Sequence, residues 1–185
     1  EVIRKVHLND RYHSEWVKHI LIVDDHNCLV NIIDYLDILQ KQSAQVNRIV
    51  VFGMGYVGIT LAVSLANRGH QVTGIDTKKS IVDSLNMGDS HVFEPGLSDM
   101  LTANLKRSNI AFNNEIDSDI DQVYIIAIGT PLDLNSIPDM SALTSVLKDI
   151  SRVLKQGDQV MLRSTVPVGV TRKVVVPYLE DATGL

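Results

Sequence analysis

Apolar positions along residues 48–76 predict a strand, a helix and a second strand. Residues 49–52 form an uninterrupted apolar run, which is typical of a strand buried on both faces. Residues 59–67 carry apolar side chains at helical spacing, with Gly69 as a stop signal, and residues 71–75 form a second apolar run. This order is typical of a parallel α/β unit.

The sequence GMGYVG, residues 53–58, lies between the first strand and the helix. We expect Gly53 to permit the tight turn, Gly55 to let a pyrophosphate approach the backbone, and Gly58 to let the helix lie close to the strand. The N–H groups and positive dipole end at the start of the helix favour phosphate at this position. The order of strand, glycine turn and helix therefore predicts a dinucleotide-binding site.

Asp76 ends the second apolar run, where dinucleotide-binding proteins carry an acidic residue. Its carboxylate is placed to accept hydrogen bonds from the adenosine ribose hydroxyls, and it would repel a 2′-phosphate. The sequence therefore predicts NAD rather than NADP as the cofactor. Lys78 or Lys79 can reach the adenosine side, although a solvated helix start explains these two lysines equally well.

The rest of the pattern predicts a Rossmann-type, doubly wound parallel sheet over residues 46–185. Further strands are expected at 110–112, 123–128 and 159–162. Helices are expected at 81–86, at 98–105 after a Ser98 cap, from Asp139, and from a Thr171 cap towards Leu179. Thr130 follows the carboxyl end of the second central strand, where open α/β sheets bind ligands, so we place it at the site.

Residues 1–45 are predicted to be a separate, small α+β appendage. Strand-like runs at 20–23 and 28–33 flank an acidic turn and predict a hairpin, and Asp34 is a candidate cap for a following helix. The run ILIVDDH is similar to the start of a receiver domain, but the strand at 49–52 follows too soon for that fold. The segment also resembles the second half of a CBS domain, a module that often binds adenosyl ligands. The alternative is a structural appendage or truncated neighbour, in which the acidic turn is solvated and binds no metal.

Composition narrows the functional classes. The chain has 185 residues, 45% of them apolar and 21% charged, which is typical of a globular protein. A net charge of −5 argues against a nucleic-acid partner. The sequence shows neither an apolar run of membrane-spanning length nor a signal-peptide pattern. The single cysteine, Cys28, excludes an internal disulfide and suits a cytoplasmic protein.

Residues 47–185 resemble the UDP-glucose/GDP-mannose dehydrogenase family. The motifs that carry the resemblance are, in chain order, GMGYVG (53–58), GHQVTGID (69–76), EPGL (94–97), IAIGTP (126–131), PDM (138–140) and RSTVPVGVT (163–171). The resemblance implies an NAD-dependent enzyme that oxidises the C6 alcohol of a nucleotide sugar to a carboxylate. The motif combination looks most like the branch acting on UDP-N-acetylhexosamines, so we expect a UDP-sugar substrate and a homodimer for the full-length protein.

The resemblance also implies NAD contacts from Tyr56, Val57, Asp76 and Thr130, with Thr165 near the nicotinamide and substrate. The complete set of candidate cofactor-binding residues is Gly53, Met54, Gly55, Tyr56, Val57, Gly58, Asp76, Thr130 and Thr165. One departure concerns Asn113-Asn114, because family members often carry threonine at this position and use it as a cofactor contact.

Family members oxidise the aldehyde intermediate through a cysteine, which forms a thiohemiacetal and then a thioester. The resemblance places that cysteine beyond Leu185, so we expect no catalytic residue here, a truncation before the central helix and substrate domain, and an inactive fragment. Cys28 precedes the nucleotide-binding fold and is interpreted as a buried small hydrophobe. One alternative is a regulatory module that senses NAD or an adenosyl ligand. Another is a different Rossmann oxidoreductase, such as a 3-hydroxyacid dehydrogenase, against which EPGL and RSTVPVG argue.

Overall fold

The computed structural model divides the chain into two compact units, Glu1–Gln45 and Val46–Leu185. The residues that it describes are 19–23, 29–34, 48–116, 123–132 and 138–185. In the first unit, strand β1 (His19–Val23) pairs antiparallel with strand β2 (Leu29–Asp34), in agreement with the predicted strand pair. The predicted acidic turn, Cys28 and the helix expected after Asp34 lie outside the described residues.

The described part of the second unit is a five-stranded parallel sheet with flanking helices. Its strands are β3 (Arg48–Phe52), β4 (Gln71–Ile75), β5 (Ile110–Asn113), β6 (Val123–Ile126) and β7 (Gln159–Leu162). Its helices are α1 (Tyr56–Asn67), α2 (Lys79–Asn86), α3 (Leu97–Lys106), α4 (Ser141–Ser151) and α5 (Val176–Thr183), and a π-helical turn (Thr171–Val175) precedes α5.

The strand order is β5-β4-β3-β6-β7, which confirms the predicted Rossmann-type sheet. The chain leaves β3 in one direction through β4 and β5, and then returns to place β6 and β7 on the other side. The strand order therefore reverses between β3 and β6, which is where such sheets bind ligands. None of the helices within the described ranges is long and apolar enough to cross a membrane.

The core lies where the apolar runs predict it. Strands β3 and β6 supply side chains that are almost completely buried, because helices cover both faces of the sheet. Helix α4 packs on one face through Leu143, Leu147 and Ile150, which recur at helical spacing. The opposite side of α4 remains free to line the cleft described below.

The helix starts differ from the sequence prediction by a few residues, and α2 begins at Lys79 rather than at residue 81. Helix α1 begins at Tyr56, directly after the glycine turn, rather than with the apolar periodicity at residue 59. Helix α3 begins at Leu97 with Gly96 as its N-cap, so Ser98 does not cap it. The predicted cap Thr171 is instead the first residue of the π-helical turn. Apolar periodicity locates the buried face of a helix, but backbone geometry decides its first residue.

Asp139 lies two residues before α4, and its side chain supports the start of that helix. Ser141 N–H donates a hydrogen bond to Asp139 Oδ1 at 2.8 Å. This bond lowers the pKa of Asp139, because it stabilises the charged carboxylate. The predicted start at Asp139 is therefore two residues early, because Met140 is the N-cap and Asp139 forms an Asx-type turn just before the helix.

Candidate functional site

The glycine turn between β3 and α1 is closed by tight backbone contacts. Gly53 has a φ of +89° and donates its N–H to Ile75 O at 2.7 Å, which links the end of β3 to the end of β4. A Cβ on Gly58 would overlap Gly53 O and lie 2.9 Å from the Gly53 carbonyl carbon. Glycine at position 58 therefore lets α1 begin directly above the turn.

Gly55 differs from Gly53 and Gly58, because it leaves open space instead of closing a contact. Its φ of −68° is accessible to any residue, and a Cβ there would have no heavy atom of the described residues within 4 Å. The first hydrogen bond of α1 runs from Ile59 N–H to Gly55 O, so this open space lies at the positive end of the helix dipole. An anionic group fits this position, and a pyrophosphate is the anion that the sequence pattern predicts.

Asp76 connects the glycine turn to the segment that follows β4. Its Oδ2 accepts a hydrogen bond from Met54 N–H at 2.8 Å, and its Oδ1 accepts one from Lys78 N–H at 2.9 Å. Each carboxylate oxygen offers a further lone pair, so both oxygens can still accept from ribose hydroxyls. Asn114 Nδ2 donates to Asp76 O at 2.8 Å, which fixes the backbone of the acid as well.

These groups line one cleft of about 530 Å³ at the carboxyl ends of the strands. That volume lies within the usual range for small-molecule sites. One wall is formed by the glycine turn and by Asp76, Thr77 and Lys78. The opposite wall is the polar side of α4, with Ser141, Ser145 and Asp149.

The sequence prediction missed the α4 wall, although a signal was present. Ser141, Ser145 and Asp149 recur every four residues, opposite the apolar face of α4, and such a stripe marks one side of a helix. Asn114 was also missed as a wall residue. Asn114 lines the cleft and belongs to the Asn113-Asn114 pair that the sequence analysis singled out as a departure from the family pattern.

The structure distributes the nine predicted cofactor-binding residues over four places. Gly53, Gly55 and Asp76 line the cleft. The Met54 side chain is fully buried in the core, and the residue serves the turn through its N–H donated to Asp76. Gly58 is buried in the first turn of α1.

Tyr56 and Val57 are partly exposed at the start of α1 and do not belong to the described cleft lining. The remaining two predicted residues, Thr130 and Thr165, lie in the loops after the neighbouring strands β6 and β7. Thr130 Oγ1 donates to Thr165 O at 2.5 Å, so the structure brings this pair together. Neither threonine is among the described residues that line the cleft.

In sequence and in structure, the chain is similar to nucleotide-sugar dehydrogenases. A family model for the NAD binding domain of the UDP-glucose/GDP-mannose dehydrogenase family matches residues 47–185. The chain is similar to GDP-mannose 6-dehydrogenase of Azotobacter vinelandii, with 32% identity over 142 residues, which covers 74% of this chain and 33% of that protein. It is also similar to NDP-N-acetyl-D-galactosaminuronic acid dehydrogenase of Ralstonia nicotianae, with 36% identity over 126 residues, which covers 68% of this chain and 29% of that protein.

A solved structure of the UDP-D-ManNAc dehydrogenase from Pyrococcus horikoshii superposes with a TM-score of 0.71 at 32% identity. The superposition covers 75% of this chain and 33% of that one. The chain thus spans about a third of the length of the relatives that it matches.

Proposed function

This chain belongs to the UDP-glucose/GDP-mannose dehydrogenase family through its NAD-binding domain. On that premise we propose that it is the NAD-binding part of a nucleotide-sugar 6-dehydrogenase. The proposed reaction oxidises the C6 alcohol of a UDP-sugar to a carboxylate. The observation that carries the proposal is the cleft in which the open space beside Gly55 and the carboxylate of Asp76 line one wall.

In this proposal the residues of the cleft bind and orient the cofactor. Gly55 leaves the space for the pyrophosphate, and Asp76 accepts from the ribose hydroxyls. NAD, when bound, supplies the acceptor for the hydride that leaves the substrate carbon. The hydrogen bond from Thr130 to Thr165 joins the loops after β6 and β7, so it stiffens the end of the sheet that the substrate approaches.

We propose UDP-N-acetylhexosamines as the substrate class, and a cytoplasmic homodimer as the form of the full-length enzyme. The motifs PDM and RSTVPVGVT support this branch, as does the similarity to a structure named as a UDP-D-ManNAc dehydrogenase. The Azotobacter vinelandii relative is named for GDP-mannose, so GDP-mannose belongs in every substrate assay.

Replacing Asp76 with alanine should weaken NAD binding by about 1–3 kcal/mol, the scale of losing hydrogen bonds to a charged acceptor. The substitution also removes the acceptor of Met54 N–H, which loosens the glycine turn. Isothermal titration calorimetry with NAD and NADP measures both affinity and cofactor choice. Asp83→Ala on α2 is the matched control, because it removes an exposed acid outside the described cleft lining. Tighter binding of NADP than NAD by the unaltered protein would refute this role for Asp76.

The 185 residues by themselves should bind NAD without oxidising a nucleotide sugar. The sequence from 46 to 185 contains no cysteine, and the thioester route of the family requires a thiolate. We expect no NADH absorbance with UDP-glucose, UDP-N-acetylglucosamine, UDP-N-acetylmannosamine or GDP-mannose at high protein concentration. Sustained NADH formation would show that these residues hold a complete active site. It would contradict the proposal that they bind NAD but lack the catalytic cysteine.

A further inference from the structure

The EPGL turn before α3 holds Glu94 in a fixed position. Pro95 disfavours helical backbone at Glu94, and Gly96 adopts a φ of +81° that few other residues tolerate. Leu97 is only 2% exposed and donates its N–H to Glu94 O at 3.1 Å. The buried Leu97 therefore fixes the backbone of Glu94, while the Glu94 side chain extends from this turn.

That carboxylate meets the side chain of Tyr56, the first residue of α1. The Tyr56 hydroxyl donates a hydrogen bond to Glu94 Oε2 at 2.5 Å, although Tyr56 is 48% exposed. The bond to Glu94 raises the pKa of Tyr56, with smaller contributions from desolvation and from the Glu94 charge. The contact thus ties the start of α1 to the start of α3.

We propose that Glu94 is a positioning residue for the cofactor site and acts through Tyr56. The inference rests on the proposed function, because it concerns how the chain holds NAD. Tyr56 directly follows Gly55, so a tyrosine ring that loses its acceptor can turn towards the space that Gly55 leaves for the pyrophosphate. A ring held by Glu94 keeps that space open before the cofactor arrives, and such preorganisation improves affinity.

Electrostatics alone predicts the opposite effect, which makes the inference testable. Glu94 carries a negative charge near the helix start where we place the pyrophosphate, so its removal would strengthen NAD binding if the charge acted only by repulsion. Positioning through Tyr56 instead predicts weaker binding when Glu94 is replaced. The direction of the change in the NAD dissociation constant therefore separates the two explanations.

The experiment measures NAD affinity by calorimetry in Glu94→Ala, Glu94→Gln, Tyr56→Phe and the double variant Tyr56→Phe/Glu94→Ala. We expect Glu94→Ala and Tyr56→Phe each to raise the dissociation constant about five- to tenfold, the net scale of one ordinary hydrogen bond. Glu94→Gln should have a smaller effect, because its amide oxygen still accepts from the tyrosine. The double variant should bind NAD no more weakly than either single variant, because the two substitutions remove the same contact. Glu180→Gln on α5 is the control for loss of an exposed glutamate charge and should leave the affinity unchanged.

A second readout does not need the cofactor. Tyrosinate absorbance, compared between the unaltered protein and Tyr56→Phe, gives the ionisation of Tyr56 alone. We expect Tyr56 to ionise above the ordinary range for tyrosine, and Glu94→Gln to move it back. Ordinary ionisation that Glu94→Gln does not change would overturn the contact itself.

The possible results separate this inference from the proposed function. No NAD binding by the unaltered protein would overturn both. NAD binding that is unchanged or tightened in Glu94→Ala would overturn only the positioning role. The same conclusion would follow if the loss in the double variant equalled the product of the two single losses.

Discussion

Replacing Gly55 with valine should abolish NAD binding while the protein stays folded. The backbone at Gly55 has an ordinary negative φ, and a Cβ there meets no described heavy atom within 4 Å, so a side chain fits without strain. The same side chain would occupy the open space beside the start of α1 where we place the pyrophosphate. We expect the dissociation constant for NAD to rise at least about 100-fold, which corresponds to about 2.7 kcal/mol.

Gly55→Ala provides the graded companion to this variant. A single methyl group should give an intermediate loss of affinity, with a melting temperature close to that of the unaltered protein. Calorimetry reports the affinity, and circular dichroism reports the fold of both variants. If folded Gly55→Val bound NAD as tightly as the unaltered protein, the phosphates would have to lie elsewhere in the cleft.

The sequence was sufficient to predict the sheet and the glycine turn, because both depend on local patterns. The apolar runs of β3 and β6 require burial on both faces, and the spacing of the glycines matches a turn that the structure closes as expected. Thr130 was predicted from the end of a strand, and Thr165 from the family resemblance. Their contact depends on the pairing of β6 with β7, where Ile126 lies opposite Leu162.

Contacts that depend on the packing of distant elements could not be predicted from one sequence. Tyr56 and Glu94 are 38 residues apart and meet because α1 and α3 lie side by side. The polar stripe of α4 was visible as a pattern, but only the strand order shows that it faces Asp76 across the cleft. The starts of α1 and α3 were missed because their N-caps, Gly55 and Gly96, have no capping side chain to mark them.

Replacing Gly58 with alanine should destabilise the second unit more than any other single methyl group added to this turn. The added Cβ would overlap Gly53 O, and that carbonyl cannot rotate away easily. Gly53 N–H is bonded to Ile75 O, and its φ of +89° leaves few alternative conformations. The overlap can therefore be removed only if α1 moves away from β3. That movement exposes the buried side chains of Ile59, Ala62 and Val63.

We expect the free energy of unfolding to fall by at least about 3 kcal/mol, because overpacking against fixed backbone lies at the upper end of such effects. Urea unfolding of the second unit, followed by circular dichroism, measures the change against Gly55→Ala in the same turn, which should stay within about 1 kcal/mol of the unaltered protein. The two glycines lie three residues apart, yet Gly58 should determine the stability of the fold and Gly55 the affinity for NAD. A Gly58→Ala protein as stable as Gly55→Ala would mean that α1 can shift without cost. The close approach of helix to strand would then not be what requires glycine at position 58.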